Sequence, residues 1–202
     1  MDQINENLFI GNDGKARCNW CSATEGYIDY HDKEWGFPVS DDRTLFEKLC
    51  LESFQSGLSW RTILTKREGF RRAFDNFDFN KVAKYNESKI NELLQDEGIV
   101  RHRGKIEAVI NNAKQAILMV DEFGSLATYL WRYRDDTPEP TTRATSDLSI
   151  ALSKDLKKRG WKFVGPTTAY AFMQAMGLVN DHSEGCYVRK LVEQARRNFV
   201  QP

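Results

Sequence analysis

The chain lacks a charge of one sign: over its 202 residues, 29 Lys and Arg balance 29 Asp and Glu. That excludes a protein that coats nucleic acid by bulk charge, so any DNA contact must run through local patches and backbone amides. It also lacks long apolar runs; none approaches the roughly 20 residues needed to span a bilayer. The opening MDQINENLFIGNDGKARC has no basic segment followed by an apolar one, so a soluble, cytoplasmic protein with no membrane partner is expected. No internal repeat, low-complexity tract or strand-like alternation is present. Histidine is scarce, with only His31, His102 and His182, and the four cysteines are Cys18, Cys21, Cys50 and Cys186. In a reducing compartment those thiols should be buried or metal-bound, not bridged.

What is present is core material. A hydrophobic fraction of 41% and an aromatic fraction of 12% argue against wholesale disorder. The periodic segments have helical spacing, and the predicted fold class is all-α. Residues 1–16 read as a polar tail. An Asp-rich start caps a helix from about Asp41 to Gln55, and Ser59 caps a second carrying Ile63, Leu64, Phe70 and Phe74. In GKIEAVINNAKQAILMVDEFG, Ile106, Val109, Ile110, Ala113 and Ile117 form one stripe, which Gly124 ends. Shorter helices are predicted near Ser88–Asp96, Ser125–Tyr133 and Leu148–Arg159. RDDTPEPTTRATSD reads as a surface loop between two lobes of one domain, residues 17–186. The last segment, 187–202, reads as an added basic helix whose Arg189, Lys190, Arg196 and Arg197 either touch DNA or face solvent, with solvent the favoured reading.

LKKRGWKFVGPTTAYAFMQAMG carries two helices joined by FVGP. Gly165 is able to take a positive φ, and Pro166 suits a first helical turn. The turn leaves the amides of Gly165, Thr167 and Thr168 at a helix N-terminus, where an anion such as a DNA phosphate binds readily. Lys157, Lys158, Arg159 and Lys162 precede it. By itself the turn is more readily read as an ordinary helical corner with a solvated basic face, since Gly-Pro turns are common.

His31 lies near Cys18 in sequence, and His182 lies four residues before Cys186. A Cys₂His₂ set is a common tetrahedral zinc complement, closed and therefore structural. CNWC gives Cys21 ligand spacing as well, so Cys18, Cys21, His182 and Cys186 form a competing set, and unrelated buried thiols a third reading. Glu52 shares a helical line with Leu45 and Leu49. It is therefore a carboxylate among apolar neighbours, which needs an Arg, several amides or a ligand to satisfy it. Trp20, Tyr27, Tyr30, Trp35 and Trp60 cluster around it in sequence. Aromatic faces with a carboxylate suit an extruded, cationic base, although tryptophans also simply fill cores.

Taken together, YHDKEWGFP, LFEKLCLESFQSGLSW, TKREGF, GIVRHRGKIEAVINNA and LSKDLKKRGWKFVGPTTAYAFMQAMGLVNDH resemble bacterial 3-methyladenine DNA glycosylase I, from about Arg17 to Cys186. The resemblance implies a helix-hairpin-helix glycosylase fold, with a structural zinc on Cys18, His31, His182 and Cys186. It implies Glu52 as reader of the adenine edge, with Tyr30 and Trp60 sandwiching the ring. Tyr27, Trp20 and Trp35 would line the same cavity. The DNA backbone would be held at Gly165, Thr167, Thr168 and Lys162. The partners implied are double-stranded DNA containing alkylated adenine and the free 3-methyladenine product, handled by a monomer.

Thr167 stands where lyase-competent relatives place a Schiff-base lysine, so strand cleavage is not expected. The cysteines lack the clustered spacing of an iron–sulfur relative. Asp181 is a candidate base well after the hairpin, but the resemblance implies a family that does not depend on one. Phe54 departs from the family pattern close to Glu52. A catalytically silent DNA-binding module and a purely structural zinc protein are the alternatives.

Overall fold

The computed structural model describes residues 6–136 and 143–202. It opens on a short antiparallel hairpin, β1 (Leu8–Ile10) and β2 (Ala16–Cys18), with Leu8 opposite Cys18. The rest is helical: α1 (Glu25–Lys33), α2 (Asp42–Gln55), α3 (Trp60–Thr65), α4 (Arg67–Ala73), α5 (Phe79–Val82), α6 (Glu87–Leu93), α7 (Arg103–Phe123), α8 (Leu126–Leu130), α9 (Asp147–Lys158), α10 (Pro166–Ala175) and α11 (Tyr187–Asn198). The starts follow capping chemistry. Thr24, Asp41, Ser59, Ser125 and Ser146 each accept a hydrogen bond from a first-turn amide with their side chain, satisfying donors that the helix itself leaves open.

α2 is the central helix, packed against α3, α7, α8 and α10. Leu45, Phe46, Leu49, Cys50, Leu51 and Phe54 are all buried on it. A helix apolar nearly all round has no solvent face to spare, which is why its two buried charges, Lys48 and Glu52, face one another. Phe54 packs against Phe70, with ring centroids 4.5 Å apart and planes tilted by 50°, and lies 6.0 Å from Phe74. The departure from the family pattern therefore fills the core.

Four expectations are corrected. Residues 8–16 are not a loose tail but half of the β-hairpin; the two strands are only 3 residues each, too short for an alternation pattern to register. The helix begun by Ser59 breaks at Lys66, and Phe70 belongs to α4. Gly165 has φ −64 and ψ 165, ordinary extended backbone; the left-handed residue of the FVGP turn is Phe163, at φ 57. That conformation costs a non-glycine residue about 1–3 kcal/mol. Asn112 offsets it by accepting from the Lys162 amide at 2.8 Å and donating to the Lys162 carbonyl at 2.9 Å.

Lastly, the added C-terminal helix is present as α11, but Arg189 and Arg196 do not face solvent. Arg189 donates to the carbonyls of Asn180 and His182, and buried Arg196 donates to those of Asp135 and Leu178. Lys190 and Arg197 are exposed as expected. Residues 137–142 of the proposed inter-lobe loop lie outside the described residues.

Gly177 ends α10 at φ +79, and a Cβ there would lie 2.6 Å from the Pro38 nitrogen and 2.7 Å from the Phe37 carbonyl carbon. Both neighbours are backbone and cannot step aside. Gly177→Ala should cost at least about 2 kcal/mol, a fall in Tm of roughly 4–8 °C for a chain of this length, read by thermal unfolding.

Candidate active site and metal centre

Thr24 starts α1 so that Tyr27, Tyr30 and His31 follow at three- and four-residue steps on one side of the helix. Tyr27 and Tyr30 turn toward α2, and His31 toward the chain ends. α2 presents Lys48 and Glu52 one turn apart, and Ser59 sets Trp60 as the first residue of α3. Trp20, Tyr27, Tyr30, Trp35, Glu52 and Trp60 come together around a cavity of about 570 Å³, joined by Gln174 and Asp181. Every pocket residue expected from sequence is in that one wall.

The cavity is polar at chosen points. Glu52 is 5% exposed, and its Oε1 lies 3.1 Å from the Lys48 ammonium. Lys48 also donates to the Tyr30 hydroxyl. Burial pushes the Glu52 carboxyl above its ordinary value while Lys48 opposes the shift. Burial pulls the Lys48 ammonium down to about 8. The partner that satisfies Glu52 is thus a lysine, neither the arginine nor the amides considered from sequence. Its signal was the i,i+4 Lys–Glu spacing, easily passed over in a helix otherwise apolar.

Among the described residues, two buried wall atoms have no partner: Trp60 Nε1, a donor, and Asp181 Oδ1, an acceptor. Asp181 Oδ2 is held by the Tyr170 hydroxyl and by Gln174 Nε2 at 3.0 Å. Leaving a buried donor or acceptor unpaired costs about 1–3 kcal/mol, a debt that a ligand with a polar edge can cancel. Tyr30 and Trp60 are in contact with each other, their centroids 5.5 Å apart and their planes tilted by 41°.

Beside the cavity, the structure brings together Cys18, His31, His182 and Cys186, all buried, with their ligand atoms all within 4.8 Å of one another. Cys18 Sγ–His182 Nδ1 and Cys186 Sγ–His182 Nδ1 are 3.7 Å apart, and Cys186 Sγ–His31 Nε2 is 3.6 Å. Ligands at about 2.0–2.3 Å from a tetrahedral ion lie that far from each other. Cys21 is not of this group; its thiol donates to the Cys18 carbonyl at 3.1 Å.

The outward imidazole nitrogens are also engaged, His31 Nδ1 with Asp32 at 2.8 Å and His182 Nε2 with the Trp35 carbonyl at 3.1 Å. Such partners fix the ring and tautomer of a ligating histidine. Arg17 in turn clamps Asp32. Neither Arg17 nor Asp32 stood out in the sequence. The Trp35 ring packs on both histidines, and Trp20 on His31 and Trp35. The cluster therefore braces the aromatic wall of the cavity.

At the α9–α10 turn, Gly165 caps α10 with no side-chain bond to its first-turn amides. Thr167 and Thr168 line a depression of about 340 Å³ that also touches Glu52 and Gln55. Lys162 is exposed at the same turn. Asn111 adds a brace, donating to the Gly160 carbonyl at 2.8 Å; it and Asn112, in the INNA run of α7, were missed from sequence.

The fold and this pocket define a helical protein with an aromatic-walled cavity around a buried carboxylate, and its similarity to known proteins gives the family. A family model described as methyladenine glycosylase matches residues 20–190. DNA-3-methyladenine glycosylase 1 of Escherichia coli K12 is 49% identical over 177 residues, 84% of this chain and 95% of the relative. A crystal structure of 3-methyladenine DNA glycosylase I superposes with a TM-score of 0.81 at 48% identity, covering 85% of this chain and 98% of the other. A structure described as the basis of 3-methyladenine recognition by the Staphylococcus aureus enzyme also gives 0.81, at 37% identity and 86% and 96% coverage. The chain belongs to the methyladenine glycosylase family.

Proposed function

We propose that this chain is a monofunctional DNA glycosylase: it hydrolyses the N-glycosidic bond of 3-methyladenine in alkylated double-stranded DNA and leaves an abasic site. The observation that carries this reading is the cavity in which a buried carboxylate, Glu52, stands among Tyr27, Tyr30, Trp20, Trp35 and Trp60, with an unpaired Trp60 N–H and Asp181 oxygen in the same walls. Stacking faces and polar points for a base edge are what an extruded nucleobase needs.

Methylation at N3 leaves the base positively charged, so the C1′–N9 bond breaks with its electron pair moving to N9. The base departs neutral, and water adds to the oxocarbenium-like sugar with loss of a proton. Little acid catalysis is required. Glu52 orients the base through its exocyclic amine, the aromatics hold the ring, and the rate comes from positioning and electrostatics. Thr167 offers no amine for a Schiff base, so the strand stays intact.

The α9–α10 turn is read as a helix-hairpin-helix clamp, the amides of Thr167 and Thr168 taking a phosphate with Lys162 nearby. Cys18, His31, His182 and Cys186 would hold a structural zinc, which supplies rigidity and no chemistry, since a four-ligand shell leaves no place for water. Among the described residues no helix is long and apolar enough to cross a membrane. Action on DNA in the cytoplasm, by a monomer, completes the proposed reading.

The test is release of 3-methyladenine from methylated duplex DNA, resolved by chromatography, together with strand integrity on a denaturing gel. Base release with an uncut strand is expected; no release from folded, metal-loaded protein would favour a silent DNA-binding module. Asp181→Asn should keep release within about tenfold of wild type, the range left when general-base help is minor. A loss of several hundredfold would give Asp181 the leading role instead.

A further inference from the structure

We propose that Lys48 is the resident cation of this pocket: in the free protein its ammonium fills the corner between Tyr30 and Trp60, and a positively charged base binds by displacing it. The proposal rests on the reading of this cavity as the base site. Lys48 Nζ stands 3.5 Å from the Trp60 ring centroid and 4.7 Å from that of Tyr30. The two rings are themselves 5.5 Å apart and tilted.

A base stacked on both faces needs two contacts of about 3.5 Å, hence about 7 Å between planes, so the slot is closed while Lys48 occupies it. The ammonium also holds Glu52 and the Tyr30 hydroxyl. One cation thus uses both aromatic faces and the carboxylate, the same three features that would attract a cationic ring. Two cations cannot share that corner at low dielectric.

The charged groups around Lys48 are few. Glu52 faces it on α2 and the Tyr30 hydroxyl from α1. Glu34, after α1, and Arg67, on α4, act at longer range and pair with each other at 2.6 Å. Lys48 is buried, with a side chain 6% exposed, and burial leaves its ammonium titrating at about 8. Entry of a ring cation therefore competes with protonation of Lys48, whereas a neutral ring avoids the repulsion.

The experiment compares binding of two rings by tryptophan fluorescence: 3-methyladenine, neutral above pH 7, and 3,9-dimethyladeninium, whose methyl group replaces the sugar and keeps the ring positive. In the wild type, affinity for the cation should rise by about tenfold between pH 7 and pH 9, with little change for the neutral ring. Lys48→Met should tighten the cation by about tenfold relative to the neutral ring, a difference of about 1.4 kcal/mol, and abolish the pH rise. Lys48→Arg, charged throughout, should keep the discrimination and lose the pH rise.

Equal shifts for both rings in Lys48→Met, or a flat wild-type pH profile, overturn the proposal. The wild-type profile decides even if the Met variant folds poorly. If the wild type binds neither ring, or Glu52→Gln binds both as well as wild type does, the pocket reading itself fails and this proposal with it.

Discussion

Replacing Glu52 by Gln is expected to reduce release of 3-methyladenine by at least about 100-fold, a loss of about 2.7 kcal/mol of transition-state stabilisation. Binding to a duplex carrying an abasic site should stay within about threefold. Gln keeps the size of the side chain and one acceptor oxygen, so the cavity keeps its shape. What goes is the negative charge that faces the exocyclic amine of a cationic base and that pairs with Lys48 at 3.1 Å.

The same change leaves the Lys48 ammonium buried without its counter-ion. Its proton should then come off below about 8, the value it holds beside Glu52. A folded-state lysine value below the unfolded one costs stability as pH falls through that window. Glu52→Gln should therefore lose more Tm at pH 6 than at pH 9, and activity is best compared at the higher pH. On the proposed reading the DNA backbone is held at the α9–α10 turn, to which Glu52 makes no hydrogen bond, so unchanged affinity for abasic DNA separates a pocket defect from misfolding. Activity within threefold of wild type in a well-folded variant would remove Glu52 from the reaction.

Much of this site was legible because its chemistry sits on local periodicity. Tyr27, Tyr30 and His31 share α1, and Glu52 shares a line of α2 with Leu45 and Leu49, so a carboxylate out of place in an apolar helix announced the pocket. The capping residues Asp41 and Ser59 were readable for the same reason: an N-cap is a one-turn signal. What escaped depends on contacts far apart in the chain. Arg17 on β2 meets Asp32 on α1 across 15 residues, and Asn112 meets Lys162 across 50. Spacing alone left Cys21 and His31 as rivals, since both can reach Cys18; the fold separates them by turning the Cys21 thiol back onto the Cys18 carbonyl. The left-handed residue fell on Phe163 in place of Gly165 because Asn112 clamps both sides of Lys162, and local preference yields when the surroundings over-determine a turn.

The second large effect concerns the four-residue metal group. The protein is expected to carry one zinc per chain by elemental analysis, and Cys186→Ala should lose it. Cys18 comes from β2, His31 from α1, His182 from the segment before α11 and Cys186 from the cap of α11, so an ion there would tie residues 18 and 186 together, adding to the contacts of Ser183 with Cys18 and Asn7 and of Arg17 with the Tyr187 ring. The local apolar cluster around it is small, with Cys18, Cys186, Val188 and Val192 as its buried members. Metal binding energy in such a place is largely folding energy. A loss of at least about 4 kcal/mol is expected, a fall in Tm of roughly 8–16 °C at this chain length. The loss should reach the cavity as well. His182 Nε2 holds the Trp35 carbonyl, and Trp35 and Trp20 pack on the histidine rings, so an unpinned His182 loosens the aromatic wall and weakens binding of 3-methyladenine. If the α9–α10 turn holds DNA as proposed, DNA affinity should fall less, since none of the four metal-group residues belongs to that turn. Full 3-methyladenine affinity in zinc-free, folded protein would mean that the aromatic wall stands on core packing alone, with the ion serving only to tie the chain ends.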